Sequence, residues 1–104
     1  MPMIFVYITS PTKAEAKRIA FHLIKKKLAA CAVIFGGVNS IYPWKGKIVD
    51  ETELVLIAKT DAKNYNKIVA EVEKIHAYTI PCIIRIPVRA NKKYEKWLRS
   101  CLKS

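Results

Sequence analysis

The chain has 104 residues, of which 52% are hydrophobic, and 19 basic against 8 acidic side chains give it a formal charge of +11. That length fits one domain, 1–104, yet it is too short to hide so large an apolar fraction within a single core, so the surplus calls for a partner. The longest uncharged runs, 1–12 and 28–44, fall short of the roughly 20 continuous apolar residues of a membrane span, and Gly36, Gly37 and Pro43 interrupt the second.

The β-branched and aromatic run 3–9 reads as a strand. Ser10-Pro11 breaks it, and Thr12 followed by Glu15 forms a capping box that opens a helix over 13–26, with Ala16, Ile19 and Leu23 on its buried face. Residues 28–42 are extended, bent or bulged at Gly36-Gly37. A turn at 43–47 returns the chain as a long strand over 48–60, so the two form a hairpin. Asp61 caps a second helix that buries Tyr65, Ile68, Val69, Val72 and Ile75. Thr79-Ile80-Pro81 ends that unit, 82–88 is the last strand, and Asn91 opens a short closing helix in which Tyr94, Trp97, Leu98 and Cys101 share a face. The order β-α-β-β-α-β with a C-terminal helix is a ferredoxin-like α+β arrangement.

In that arrangement both long helices cover one face of the sheet, and the other face should turn polar where it meets water. Here it stays apolar: Met3, Phe5 and Tyr7 oppose Ile4, Val6 and Ile8, and the other strands follow suit. The closing helix is too short to hide a whole sheet face, so an interface between chains is expected there.

The charge admits nucleic acid as a partner, but the lysines are scattered and read better as solvated helix surface. Nucleic acid and membrane are therefore not expected as partners. The N-terminus shows neither a basic lead nor a cleavage site, and three widely spaced cysteines suit reduced thiols. A cytoplasmic protein is expected.

No phosphate-binding glycine loop, paired CxxC, HExxH or GxSxG occurs, so no enzyme is expected and no cofactor is required. Cys31 and Cys82 are either small core hydrophobes or thiolate ligands for a soft metal. His76 lies at a loop, as a ligand or as a helix-end histidine; His22 is expected to face solvent. Tyr42, Trp44 and Lys45 make an aromatic, basic turn suited to a subunit contact. Lys59 interrupts an apolar strand as a cleft lysine for an anion or as an edge charge.

Several segments together resemble the divalent-cation-tolerance (CutA) family: 27–32 (KLAACA), 40–47 (SIYPWKGK), 53–60 (ELVLIAKT), 76–81 (HAYTIP) and 94–98 (YEKWL). The resemblance runs nearly end to end. It implies a ferredoxin-like subunit in a homotrimer similar to the PII signalling proteins, and tolerance of copper or another divalent metal without an assigned catalytic activity. Carried over by position, it implies Cys31 and His76 as metal residues, to which Cys82 is added as a candidate thiol from its place at the head of the last strand, and a ligand cleft of Trp44, Lys59 and Tyr78 between subunits. Tyr42, Trp44 and Trp97 are the expected trimer contacts. The chain departs from the family pattern at Ala32, Pro43, Ala77 and Cys82, where Asn, Trp, Pro and Glu are usual. A thiol in place of that glutamate favours a softer metal. The alternative reading is a PII-like sensor of a small anionic molecule.

Overall fold

The computed structural model describes residues 2–103; Met1 and Ser104 of the expected domain lie outside the described residues. The order is β1 (Met3–Ser10), α1 (Lys13–Lys25), β2 (Cys31–Trp44), β3 (Lys47–Asp61), a single 3₁₀ turn (Ala62–Asn64), α2 (Tyr65–Ile75), β4 (Ile83–Val88) and α3 (Lys92–Leu102). The four strands form one antiparallel sheet in the order β2-β3-β1-β4. This is the ferredoxin-like α+β fold expected from the sequence.

The apolar positions of α1 and α2 close onto one sheet face. Ala16, Ile19 and Leu23 from α1 and Ile68 and Val72 from α2 are buried against Ile4, Val6, Ile8, Leu56 and Ala58. Thr12 Oγ1 accepts from the Glu15 backbone N–H at 3.2 Å, the expected cap of α1. Asp61 likewise accepts from the Lys63 backbone N–H at 3.0 Å, although what it caps is the 3₁₀ turn leading into α2. His22 is not a free solvent side chain: its Nε2 lies 2.8 Å from Glu71, which joins α1 to α2.

The opposite face is only partly covered. Leu98 of α3 is buried, and α3 lies over the end of the sheet near Lys59 and Asp61. Beyond it Phe35, Ile84 and Ile86 remain exposed, which is the uncovered apolar face read from the sequence.

Strand lengths set the shape. β1 pairs with β3 only from Leu54 to Asp61, so Lys47–Glu53 of β3 continues past the sheet with β2 as its sole neighbour. The molecule is 46 Å long and 25 Å wide, and this two-stranded ribbon provides the extra length. Its turn is tighter than the five-residue turn expected. Trp44 pairs with Lys47, leaving a two-residue loop of Lys45 and Gly46 with φ of 50° and 78°, the primed hairpin geometry. The register of β2 against β3 shifts between Phe35 and Val38, placing the bulge at the glycine pair as expected.

Candidate functional site

The bulge decides which side chains meet. Before it, odd-numbered residues of β2 share the open face with the odd-numbered residues of β3; after it, Val38 pairs with Glu53, Ser40 with Glu51 and Tyr42 with Val49. Ser40, Tyr42 and Trp44 therefore turn to the same side as Glu51 and Glu53, because side chains alternate along each strand. The ribbon leaves the sheet here. The loop between α2 and β4 crosses the same place, closing a cavity of about 600 Å³ lined by Tyr7 and Thr9 of β1, those ribbon residues and Ile41, and Ala77 to Ile80 with Cys82.

Glu51 and Glu53 are two residues apart on one strand face, roughly 7 Å at about 3.3 Å per residue. Tyr78 donates its hydroxyl to Glu53 Oε2 at 2.6 Å, and Tyr42 donates to Glu51 Oε2 at 2.9 Å. Glu53 is only 4% exposed, and no Lys, Arg or His pairs with it among the described residues. A buried carboxylate without a cation is costly. Its charge is felt by its neighbours. The Tyr78 hydroxyl is held well above its usual range by burial and by its hydrogen bond to Glu53, and Tyr42 is raised chiefly by its hydrogen bond to Glu51. Burial, then Glu53, push the Cys82 thiol up.

His76 shapes the loop. Its Nε2 donates to the Thr9 carbonyl at 2.7 Å, and its Nδ1 accepts from the Tyr78 backbone N–H at 3.0 Å. A carbonyl only accepts, so the proton sits on Nε2 and both ring nitrogens are engaged. The ring also packs against Tyr78, centroids 4.8 Å apart and planes tilted by 41°. In this chain His76 aims Tyr78 at Glu53.

The expected metal set does not assemble within one chain. Cys31 pairs with Lys59 in the β2–β3 ladder, six residues from Glu53 along β3 and so roughly 20 Å away. Cys82 lines the cavity and His76 is committed to the loop. Among the described residues, no three His, Cys, Asp or Glu side chains come together to hold a metal ion. The expected cleft is divided in the same way: Trp44 and Tyr78 line the cavity, whereas the Lys59 ammonium lies 5.4 Å from the Tyr94 ring beneath α3. Of the expected trimer contacts, Trp44 and Trp97 are exposed and Tyr42 is half-buried in the cavity wall.

Sequence reasoning missed Glu51 and Glu53 as site residues. One signal was available: of only 8 acidic residues in the chain, Glu51 and Glu53 are the two that fall two apart within an expected strand.

Comparison with known proteins fits this architecture. The family model for "CutA1 divalent ion tolerance protein" matches residues 4–101. The divalent-cation tolerance protein CutA of Archaeoglobus fulgidus is 44% identical over 95 residues, covering 90% of this chain and 92% of that protein. The Thermus thermophilus protein of the same description is 40% identical, with the same coverage of each chain. The solved A. fulgidus structure superposes with a TM-score of 0.94 at 41% identity, covering 97% of this chain and 99% of that one. The rice protein CutA 1 is 39% identical over 96% of this chain, which spans 57% of its length.

These relatives overturn the expectation of a cytoplasmic protein. The A. fulgidus protein is described as periplasmic and the rice protein as chloroplastic. Relatives of this fold are described from different compartments, so cysteine usage and the want of a basic lead or cleavage site do not decide location. With the family model spanning nearly every strand and helix and two relatives at 40% identity or more, this chain belongs to the CutA1 divalent ion tolerance family.

Proposed function

We propose that this chain acts by binding, as one subunit of a homotrimer that holds a divalent cation, copper foremost, at cavities along its subunit seams. The observation that carries this reading is Glu53, a carboxylate 4% exposed, facing a cavity beside Glu51 with no cation paired to it among the described residues. In a chain of formal charge +11, that pair makes a local site of opposite sign. Cys82 adds a softer donor at the rim. Among divalent first-row ions copper binds N, O and S donors most tightly. Glu51, Glu53 and Cys82 do not come together as a three-ligand group among the described residues of one chain, so an ion would take one or two of them and donors of a neighbouring copy would complete its shell.

Assembly is supported by the ribbon. A lone two-stranded ribbon is marginally stable in water, and this one carries Ile48 at 82% exposed and Ile41 at 69%. Packing it against neighbouring copies would cover these residues together with Phe35, Ile84 and Ile86. An anionic ligand fits the cavity poorly, because two carboxylates line it and Lys59 lies elsewhere.

Calorimetric titration of the assembled protein with copper tests the reading. Glu51→Gln/Glu53→Gln should weaken binding at least tenfold, while Cys31→Ser should leave it unchanged. Equal binding by wild type and the double glutamine variant would remove the carboxylates from the site.

A further inference from the structure

The cavity is built of more than a metal ion uses. At about 600 Å³ it is twenty times the volume of a water molecule, and it falls among pockets that hold organic ligands. Its walls are aromatic. Tyr7 stands on β1, Tyr42 on the ribbon and Tyr78 on the loop, with Trp44 toward the hairpin tip. Each phenol that reaches a carboxylate donates to it, Tyr42 to Glu51 and Tyr78 to Glu53. Those two hydroxyls are thus spent, and what Tyr42 and Tyr78 offer a ligand is ring surface. The His76 ring lies against Tyr78, tilted by 41°. Lys45 lies 6.0 Å from the Trp44 ring, the outer limit of cation–π reach, so the three tyrosines carry the site.

Aromatic faces attract cations that are weakly hydrated and partly apolar, and they offer nothing to an anion. A carboxylate buried among them supplies the countercharge. We infer that the cavity binds an organic ammonium, an alkylamine whose charged head meets Glu53 and the tyrosine rings while its carbon chain runs along Ile80. This goes beyond the metal reading and shares its carboxylates, so amine and metal would compete for Glu51 and Glu53. An amine satisfies Glu53 with donors of its own and needs no further ligand from the protein, whereas a metal needs a completed shell.

The test is calorimetry on the assembled protein at low salt with 1,4-diaminobutane, first in buffer containing a chelator. Tetramethylammonium and 1,4-butanediol serve as comparison probes. Saturable binding of both cations and none of the neutral diol is expected. Glu53→Gln keeps the side chain's shape and an acceptor for Tyr78, and it should weaken diamine binding at least tenfold. Glu51→Gln, which leaves the buried residue in place, serves as the second variant and should also weaken it. Lys59→Ala lies outside the cavity and should change nothing. No diamine binding at millimolar concentration overturns the inference, as does wild-type affinity in both glutamine variants. Copper titrated separately in amine-free, chelator-free buffer keeps the two readings apart: copper binding without amine binding overturns only the ammonium site, and amine binding without copper binding overturns only the metal.

Discussion

Tyr78 and Glu53, 25 residues apart in the chain, meet through a 2.6 Å hydrogen bond that ties the α2–β4 loop to the root of the ribbon. Replacing Tyr78 with Phe leaves the buried Glu53 carboxylate without that donor. The expected loss is about 1–3 kcal/mol of stability, measured by chemical denaturation at pH 7. The phenol's pKa is raised in the fold, so the folded state holds its proton more tightly than the unfolded chain does. Its contribution is complete below the unfolded value of about 10 and is lost as pH rises toward the higher folded one. The gap between wild type and Tyr78→Phe should therefore be constant up to about pH 9 and narrow above pH 10. A gap unchanged through pH 11 contradicts the assignment.

His76 should prove to be a positioning residue. His76→Ala removes a donor to the Thr9 carbonyl and an acceptor for the Tyr78 backbone N–H. The expected cost is about 1–2 kcal/mol, together with faster hydrogen exchange at the Tyr78 amide. A variant with full stability and unchanged exchange that had lost only metal affinity would make His76 a ligand instead.

Acid stability should depend on Glu71. Hydrogen bonds from His22, Lys74 and Lys26 hold its carboxyl down to about 2. A depressed carboxyl stabilises the fold above its unfolded pKa, and that contribution is lost as pH falls toward the folded value. Wild type should lose stability between about pH 4.5 and 2 more steeply than Glu71→Gln. Added salt should reduce the difference, because the cluster lies at the surface. Parallel acid-unfolding curves would show that the cluster contributes nothing.

Local patterns in the chain carried the fold. Thr12 and Glu15 announced α1, Asp61 the turn into α2, and Gly36-Gly37 the bulge, because each acts within a few residues of itself. The site was legible only in part. Tyr42, Trp44 and Cys82 stood out by residue type and Tyr78 by the family resemblance, and all four do share the cavity. Cys31 and Lys59 stood out equally, yet the β2–β3 register pairs them at the other end of the sheet. Register is a long-range property. The shift between Phe35 and Val38 turns Ser40, Tyr42 and Trp44 toward Glu51 and Glu53, and no local pattern predicts which acids a bulge will bring to a tyrosine.

Assembly should fail when the ribbon is made polar. Ile48→Asp places a charge on a side chain 82% exposed in the single chain, so folding of the sheet should be unaffected. If neighbouring copies bury that residue, an unpaired charge there is costly. Light scattering at micromolar concentration should then report monomers for Ile48→Asp and trimers for wild type. A trimeric variant would place the interface elsewhere.

The end of α1 offers a stabilising change. Lys27 sits at φ 57°, in the left-handed region, while the Leu28 N–H donates to the Leu23 carbonyl at 3.0 Å and the Lys27 N–H to the Ile24 carbonyl at 3.0 Å. That pair of bonds is the Schellman motif, in which glycine is the usual residue because a Cβ is strained at positive φ. The Lys27 side chain recovers part of the strain by donating to the Lys103 carbonyl at 3.1 Å, an exposed bond worth little. Lys27→Gly removes the strain, loses that bond and widens the unfolded ensemble. The first effect should win, leaving the variant about 0.5–1 kcal/mol more stable by chemical denaturation. A destabilised variant would mean that the Lys27–Lys103 link contributes more than the backbone strain costs.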